Sequence, residues 1–167
     1  MIILKRIVFL VLFFCSIVFD NKLAQAQTNY TDKCLNYLQA QDFKNAIKAG
    51  KEAVIWEPNN VYSYICLGKA YLGTSGFDLA LKNFQIAYNR SNSITNLALI
   101  SNMLGLAYQG NDDLANAEHY YSDSLRLYKL LKNKIGEAAQ LNNLGEIYNL
   151  KGDCICYYKL SHRGHEN

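Results

Sequence analysis

One short phrase occurs three times in this chain. Leu67-Gly68-Lys69-Ala70-Tyr71 reads LGKAY, Leu104-Gly105-Leu106-Ala107-Tyr108 reads LGLAY, and Leu144-Gly145-Glu146-Ile147-Tyr148 reads LGEIY. The glycines are 37 and then 40 residues apart. A leucine, a glycine and an aromatic ring at this spacing share one helix face. A period in the thirties leaves room for two helices per unit, so the phrase predicts stacked helix pairs, a helical solenoid. Each unit buries its apolar face only against its neighbours. The class of molecule is therefore legible, and the partner is not.

A second register runs behind the first. Ala80, Phe84 and Ala87 follow LGKAY at intervals of four and three, and Ala117, Tyr121 and Ser124 follow LGLAY in the same way. Ala46, Gly50 and Ala53 repeat the spacing nearer the start and lead into Pro58-Asn59-Asn60, where a helix must stop. A degenerate first unit follows from this, with Lys33 and Cys34 in place of the Leu-Gly pair and Tyr37 in the aromatic place. The expected units are 27–60, 61–97, 98–137 and 138–152 onward. Turns are expected at Gln41-Asp42, Thr74-Ser75-Gly76, Gly110-Asn111-Asp112 and Lys151-Gly152-Asp153, whose Asp and Asn side chains can cap the next helix.

In this register residues 27–152 resemble the tetratricopeptide repeat family, whose pattern is W-x2-L-G-x2-Y, then A-x3-F and A, then P, over about 34 residues. The resemblance implies an all-α, right-handed α-solenoid of about three and a half hairpins. It implies that Leu67, Gly68, Tyr71 and Ala80, Leu104, Gly105, Tyr108 and Ala117, and Leu144, Gly145 and Tyr148 pack the units together. The glycines and alanines would let paired helices approach. There are two departures. Leu125 to Lys132 extends one helix, with a turn expected over Asn133-Lys134-Ile135-Gly136, similar to the roughly 40-residue variant of bacterial arrays. Residues 153–167 read as an incomplete helix or tail without the expected alanine. Leu144, Ile147 and Tyr148 are then expected to be partly uncovered, inviting self-association through the C-terminal end.

The resemblance also implies where a partner sits. First helices of successive hairpins line a concave groove, so Tyr62, Ile65, Lys69 and Leu72, Leu99, Asn102 and Leu106, and Asn142 and Glu146 are the candidate groove residues. An amide side chain both donates and accepts, so Asn102 and Asn142 can hold a peptide backbone. The same residues also fit ordinary solvated helix surface. The basic clamp that grips a chaperone's C-terminal carboxylate is not matched, because only Lys69 is cationic on this face. A protein or peptide scaffold is the resulting reading. The alternative is a truncated arm of a larger exported enzyme, such as a caspase-like peptidase carrying such repeats.

The start of the chain carries an address. Lys5-Arg6 precedes an apolar run from Ile7 to Phe19, and Ala24-Gln25-Ala26 offers small residues for cleavage. This pattern predicts a signal peptide over 1–26 and an exported protein, periplasmic or secreted. The alternative is an inner-membrane anchor through residues 7–19, though thirteen residues rise only about 20 Å as a helix. Beyond residue 26 basic and acidic residues nearly balance and form no run, which leaves no footprint for nucleic acid.

Chemistry-bearing residues are sparse. Cys15 lies inside the apolar run. Cys34 and Cys66 sit in helix patterns and read as small buried hydrophobes, although export would permit disulfides. Cys154 and Cys156, with His162 and His165 downstream, allow a metal site to be drawn, but its spacing is too tight for the usual pattern, and no metal or cofactor is expected. His119 stands beside Tyr120 and Tyr121 without a catalytic partner at a meaningful spacing. No protease, hydrolase or phosphate-loop motif is present, so no enzymatic activity is expected.

Overall fold

The computed structural model describes residues 30–152, and these form seven helices. They are α1 over 30–39, α2 (Phe43–Trp56), α3 (Val61–Leu72), α4 (Phe77–Arg90), α5 (Ile94–Gly110), α6 (Leu114–Leu130) and α7 (Lys134–Leu150). The leader, Cys15, Cys154, Cys156, His162, His165 and the tail lie outside the described residues. The described chain is an all-α solenoid. Odd-numbered helices form one layer and even-numbered helices the other. Hydrogen bonds tie each layer along its length: Thr31 to Ser63 (2.9 Å) and Asn143 to Asn102 (3.1 Å) in the first, Tyr88 to Asp123 (3.3 Å) in the second.

The turns are built alike. The amide after each left-handed residue returns to a tyrosine carbonyl five residues back: Asp42 to Tyr37, Gly76 to Tyr71, Asp113 to Tyr108 and Asn133 to Tyr128. This is the Schellman closure, which satisfies carbonyls orphaned at a helix end. The left-handed residues of these four turns are Gln41, Ser75, Asp112 and Lys132, none of them glycine, whereas Gly152 holds φ 76° after α7. Asp42, Asp113 and Asn133 then cap the next helix by accepting from the amides of Asn45, Asn116 and Gly136. Lys132 and Asn133 place this tight turn between α6 and α7. The expected turn over 133–136 is therefore shorter, and Lys134 already begins the helix. Likewise α5 begins at Ile94, ahead of the unit start expected at 98.

The phrase residues are packing residues. Leu67, Leu104 and Leu144 are 2–4 % exposed or fully buried, Ala80 and Ala117 are fully buried, and Gly68, Gly105 and Gly145 are buried. Tyr71, Tyr108 and Tyr148 are half-buried. Two of these glycines receive an aromatic ring from the second helix. A methyl group on Gly68 would lie 2.5 Å from the Phe84 ring, and one on Gly105 would lie 2.5 Å from the Tyr121 ring. Gly73 against Phe43 and Gly110 against Phe77 repeat the device between neighbouring units. The first hairpin inverts it. Gly50 stands on the second helix, and Cys34 on the first fills the space, its Sγ 3.2 Å from where a Gly50 methyl would sit.

Cys34 and Cys66 depart from the sequence expectation. Both are fully buried, but they are joined as a disulfide with a Cα–Cα distance of 6.2 Å. The bond crosses from α1 to α3 within a core whose other buried members are Ala46, Ala49 and Ala70, flanked by the half-buried Tyr37, Leu38 and Ile47. Its buried side chains are smaller than Phe84, Ile100 and Leu104 of the next cluster and bury less area. A second departure lies at the other end. Leu144 and Ile147 were expected to be partly uncovered, yet they are 2 % and 0 % exposed. They turn toward Ala117, Tyr121 and Leu125 of α6, and Tyr148 donates to Glu118 at 2.8 Å.

Candidate partner-binding face

The layer of odd helices presents side chains from α3, α5 and α7 side by side. Tyr62, Asn142 and Glu146 are exposed, and Lys69, Leu72, Leu99, Asn102 and Leu106 are half-buried. Ile65 was expected on this face and lies instead in the core, 4 % exposed, in the cluster that holds Ile100 and Leu104. A branched aliphatic side chain at that position gains more from the neighbouring unit than from water.

Two contacts connect the helices across this face. The Tyr62 hydroxyl donates to Asn96 Oδ1 at 3.3 Å, joining α3 to α5. The Asn143 amide donates to Asn102 Oδ1 at 3.1 Å, joining α5 to α7. Asn102 is thus paired with Asn143, while Asn142, the candidate beside it, stays exposed. One residue along a helix is a rotation of about 100°, which turns the two amides toward different neighbours. Asn96 and Asn143 are the members that sequence reasoning missed. Asn143 stands two residues before its glycine, as Cys66 does, and both reach back to the preceding odd helix. That shared register was the available signal.

The face is close to neutral, with Lys69 and Glu146 its charged members and amides between apolar patches. Charge concentrates in the other layer. Asp123 of α6 accepts from the hydroxyls of Ser101 at 2.9 Å and Tyr88 at 3.3 Å, and pairs with Arg126 at 2.7 Å. Burial pushes its carboxyl up, but the Arg126 guanidinium and the two hydroxyls outweigh it, holding the group below the usual carboxylate range. Burial also raises the Tyr88 phenol, with the Asp123 charge adding to it. The Tyr120 hydroxyl donates to Gln85 at 3.3 Å while its ring stacks on Tyr108, centroids 5.4 Å apart. These contacts join α4, α5 and α6 and describe structural glue between units.

His119 is exposed, edge-on to the Tyr120 ring at 5.1 Å. Among the described residues no group of three or more His, Cys, Asp or Glu is placed to hold a metal ion. A hollow of about 280 Å³ on the first hairpin is lined by Tyr30, Lys33, Tyr37, Asn45, Lys48 and Glu52. Its lining mixes two cations with one carboxylate and carries no reactive pair.

No family model matches the chain, and no curated protein matches it. Among solved structures it is similar to the MamA segment running from residue 41 to the end, from Desulfovibrio magneticus RS-1, with a TM-score of 0.68. The two are 16 % identical, and the match covers 84 % of this chain and 78 % of that one. The shared property is the fold, a tetratricopeptide-like stack of helix pairs.

Proposed function

We propose that this chain is an exported interaction scaffold that binds an extended peptide or protein segment across α3, α5 and α7 by reversible contacts, without chemistry of its own. The observation that carries the reading is the row of side chains on that face. Amides of Asn102, Asn142 and Asn143 share these helices with the half-buried Leu72, Leu99 and Leu106, a combination that suits a peptide backbone flanked by apolar side chains. The helices beneath are fixed by the glycine–aromatic crossings, so the face is preorganised and binding costs little reordering.

Export is supported by the buried Cys34–Cys66 disulfide, since such bonds persist in oxidising compartments. Mass spectrometry of the mature N-terminus should find Gln27, the residue after Ala26. An intact Met1 on membrane-bound protein would instead favour the anchored form.

Affinity capture from an envelope fraction tests the binding face. The wild-type chain is compared with Asn102→Ala/Asn142→Ala and with Leu106→Glu, each checked for unchanged helix content. Loss of the same captured protein from both variants supports the reading. Equal capture by all three would move the binding site elsewhere.

A further inference from the structure

Nine large apolar side chains stand exposed among the described residues, and six of them gather on one rim of the solenoid. Ile55 and Trp56 end α2, Tyr62 and Ile94 begin α3 and α5, Leu130 ends α6, and Ile135 begins α7. Ile55, Leu130 and Ile135 are 71 %, 63 % and 86 % exposed. Single exposed leucines need no cause, but a row along one edge does. Charge follows the same division. This rim carries Lys33, Arg90, Lys129, Lys132 and Lys134 against Asp32, Glu57 and Glu137, with Lys134 and Glu137 paired to each other. The opposite rim, made by the other turns, carries Asp42, Asp78, Asp112 and Asp113 against Lys44 and Lys151.

The chain also enters at this rim. Thr31, near the described start of α1, bonds to Ser63 at 2.9 Å and to the Glu57 carboxylate at 3.5 Å. These contacts place the start of α1 beside the end of α2 and the start of α3.

We propose that this rim rests on an anionic lipid surface. Tryptophan, tyrosine and aliphatic tips beside lysine and arginine are the composition that settles at a bilayer interface. The basic excess is attracted to anionic headgroups over a Debye length. Among the described residues no helix is long and apolar enough to cross a membrane, so contact here is peripheral. Tyr62 is the one residue shared by the rim and the candidate residues of the α3, α5 and α7 face, so the other face residues stay open to a partner while the rim is engaged.

Trp56 is the one tryptophan of the chain, so its fluorescence reports the rim directly. The mature chain, beginning at Gln27, is mixed with phosphatidylglycerol–phosphatidylcholine vesicles whose acyl chains are brominated. The readout is quenching of Trp56, not co-sedimentation. Wild type should show a blue shift and quenching that weaken as salt rises. Ile55→Glu/Ile94→Glu/Ile135→Glu should lose at least half of the quenching, and Leu79→Glu on the opposite rim should keep it. Unaltered Trp56 emission in wild type would overturn the proposal, and so would equal loss in the Leu79→Glu control. A concentration-dependent blue shift without vesicles, abolished by the triple variant, would assign the rim to a second copy and overturn it as well.

Discussion

Gly105 and Tyr121 are in such close contact that a methyl group on the glycine would stand 2.5 Å from Cδ1 of the ring. Tyr121 is fully buried, and its hydroxyl donates to Gln109 at 2.7 Å. The ring is therefore held at both ends, against α5 by packing and at its tip by a hydrogen bond. Gly68 and Phe84 make the same crossing one unit earlier. The Leu-Gly phrase exists to leave a slot for an aromatic ring of the second helix.

Gly105→Leu should force Tyr121 out of that slot. Overpacking costs about 1–3 kcal/mol, and the damage should spread because adjacent units share interfaces. Denaturant unfolding followed by circular dichroism measures it. Gly105→Leu combined with Tyr121→Ala should cost less than the sum of the single changes, since the second vacates the space the first needs. Strict additivity would mean the two side chains do not compete.

Reducing the Cys34–Cys66 bond should weaken the first hairpin selectively. For a crosslink between residues 32 apart in sequence, chain entropy contributes about 3–4 kcal/mol. The other buried side chains of its cluster are alanines, with Tyr37, Leu38 and Ile47 only half-buried at its edge. Hydrogen exchange should quicken in 30–56 after reduction and change little in α5 and α6. Uniform quickening across the array would show that the repeats unfold as one unit.

Lys132 holds a left-handed backbone, φ 53°, at the turn between α6 and α7. A side chain there costs about 1–2 kcal/mol, which glycine relieves at some cost in unfolded-chain entropy. Lys132→Gly should stabilise by about 0.5–1 kcal/mol, read as a higher thermal midpoint. A lower midpoint would indicate that the lysine side chain makes a stabilising contact.

Asp123 should make the central units acid-sensitive. Its folded carboxyl is held below the usual range, so the unfolded chain takes up the proton first as pH falls. The stability it contributes is fully present above the ordinary carboxylate value. It is lost as pH drops through that value toward the lower folded one. Asp123→Asn should flatten this part of the stability–pH profile while leaving the neutral-to-alkaline part parallel to wild type. An unchanged acid limb would place the sensitivity elsewhere, Glu118 with Lys151 and Tyr148 being the next such group.

Much of the array was legible in the chain because it is written in local rules. Helix period, the Leu-Gly-Tyr register and the Asp42 cap each involve residues a few positions apart, and their geometry follows from one helix at a time. The positive-φ turns at Gln41, Ser75 and Asp112 fell where polar turn residues had been read. The tertiary structure decided what depends on how one helix is rotated against another. It buried Ile65, paired Asn102 with Asn143, and turned Leu144 and Ile147 inward. It also joined Cys34 to Cys66 where Gly50 had left room for sulfur. These contacts link residues about twenty to forty apart, and a shift of one position turns a side chain by about 100°. A sequence pattern fixes which residues share a stripe; only packing fixes which neighbour that stripe meets.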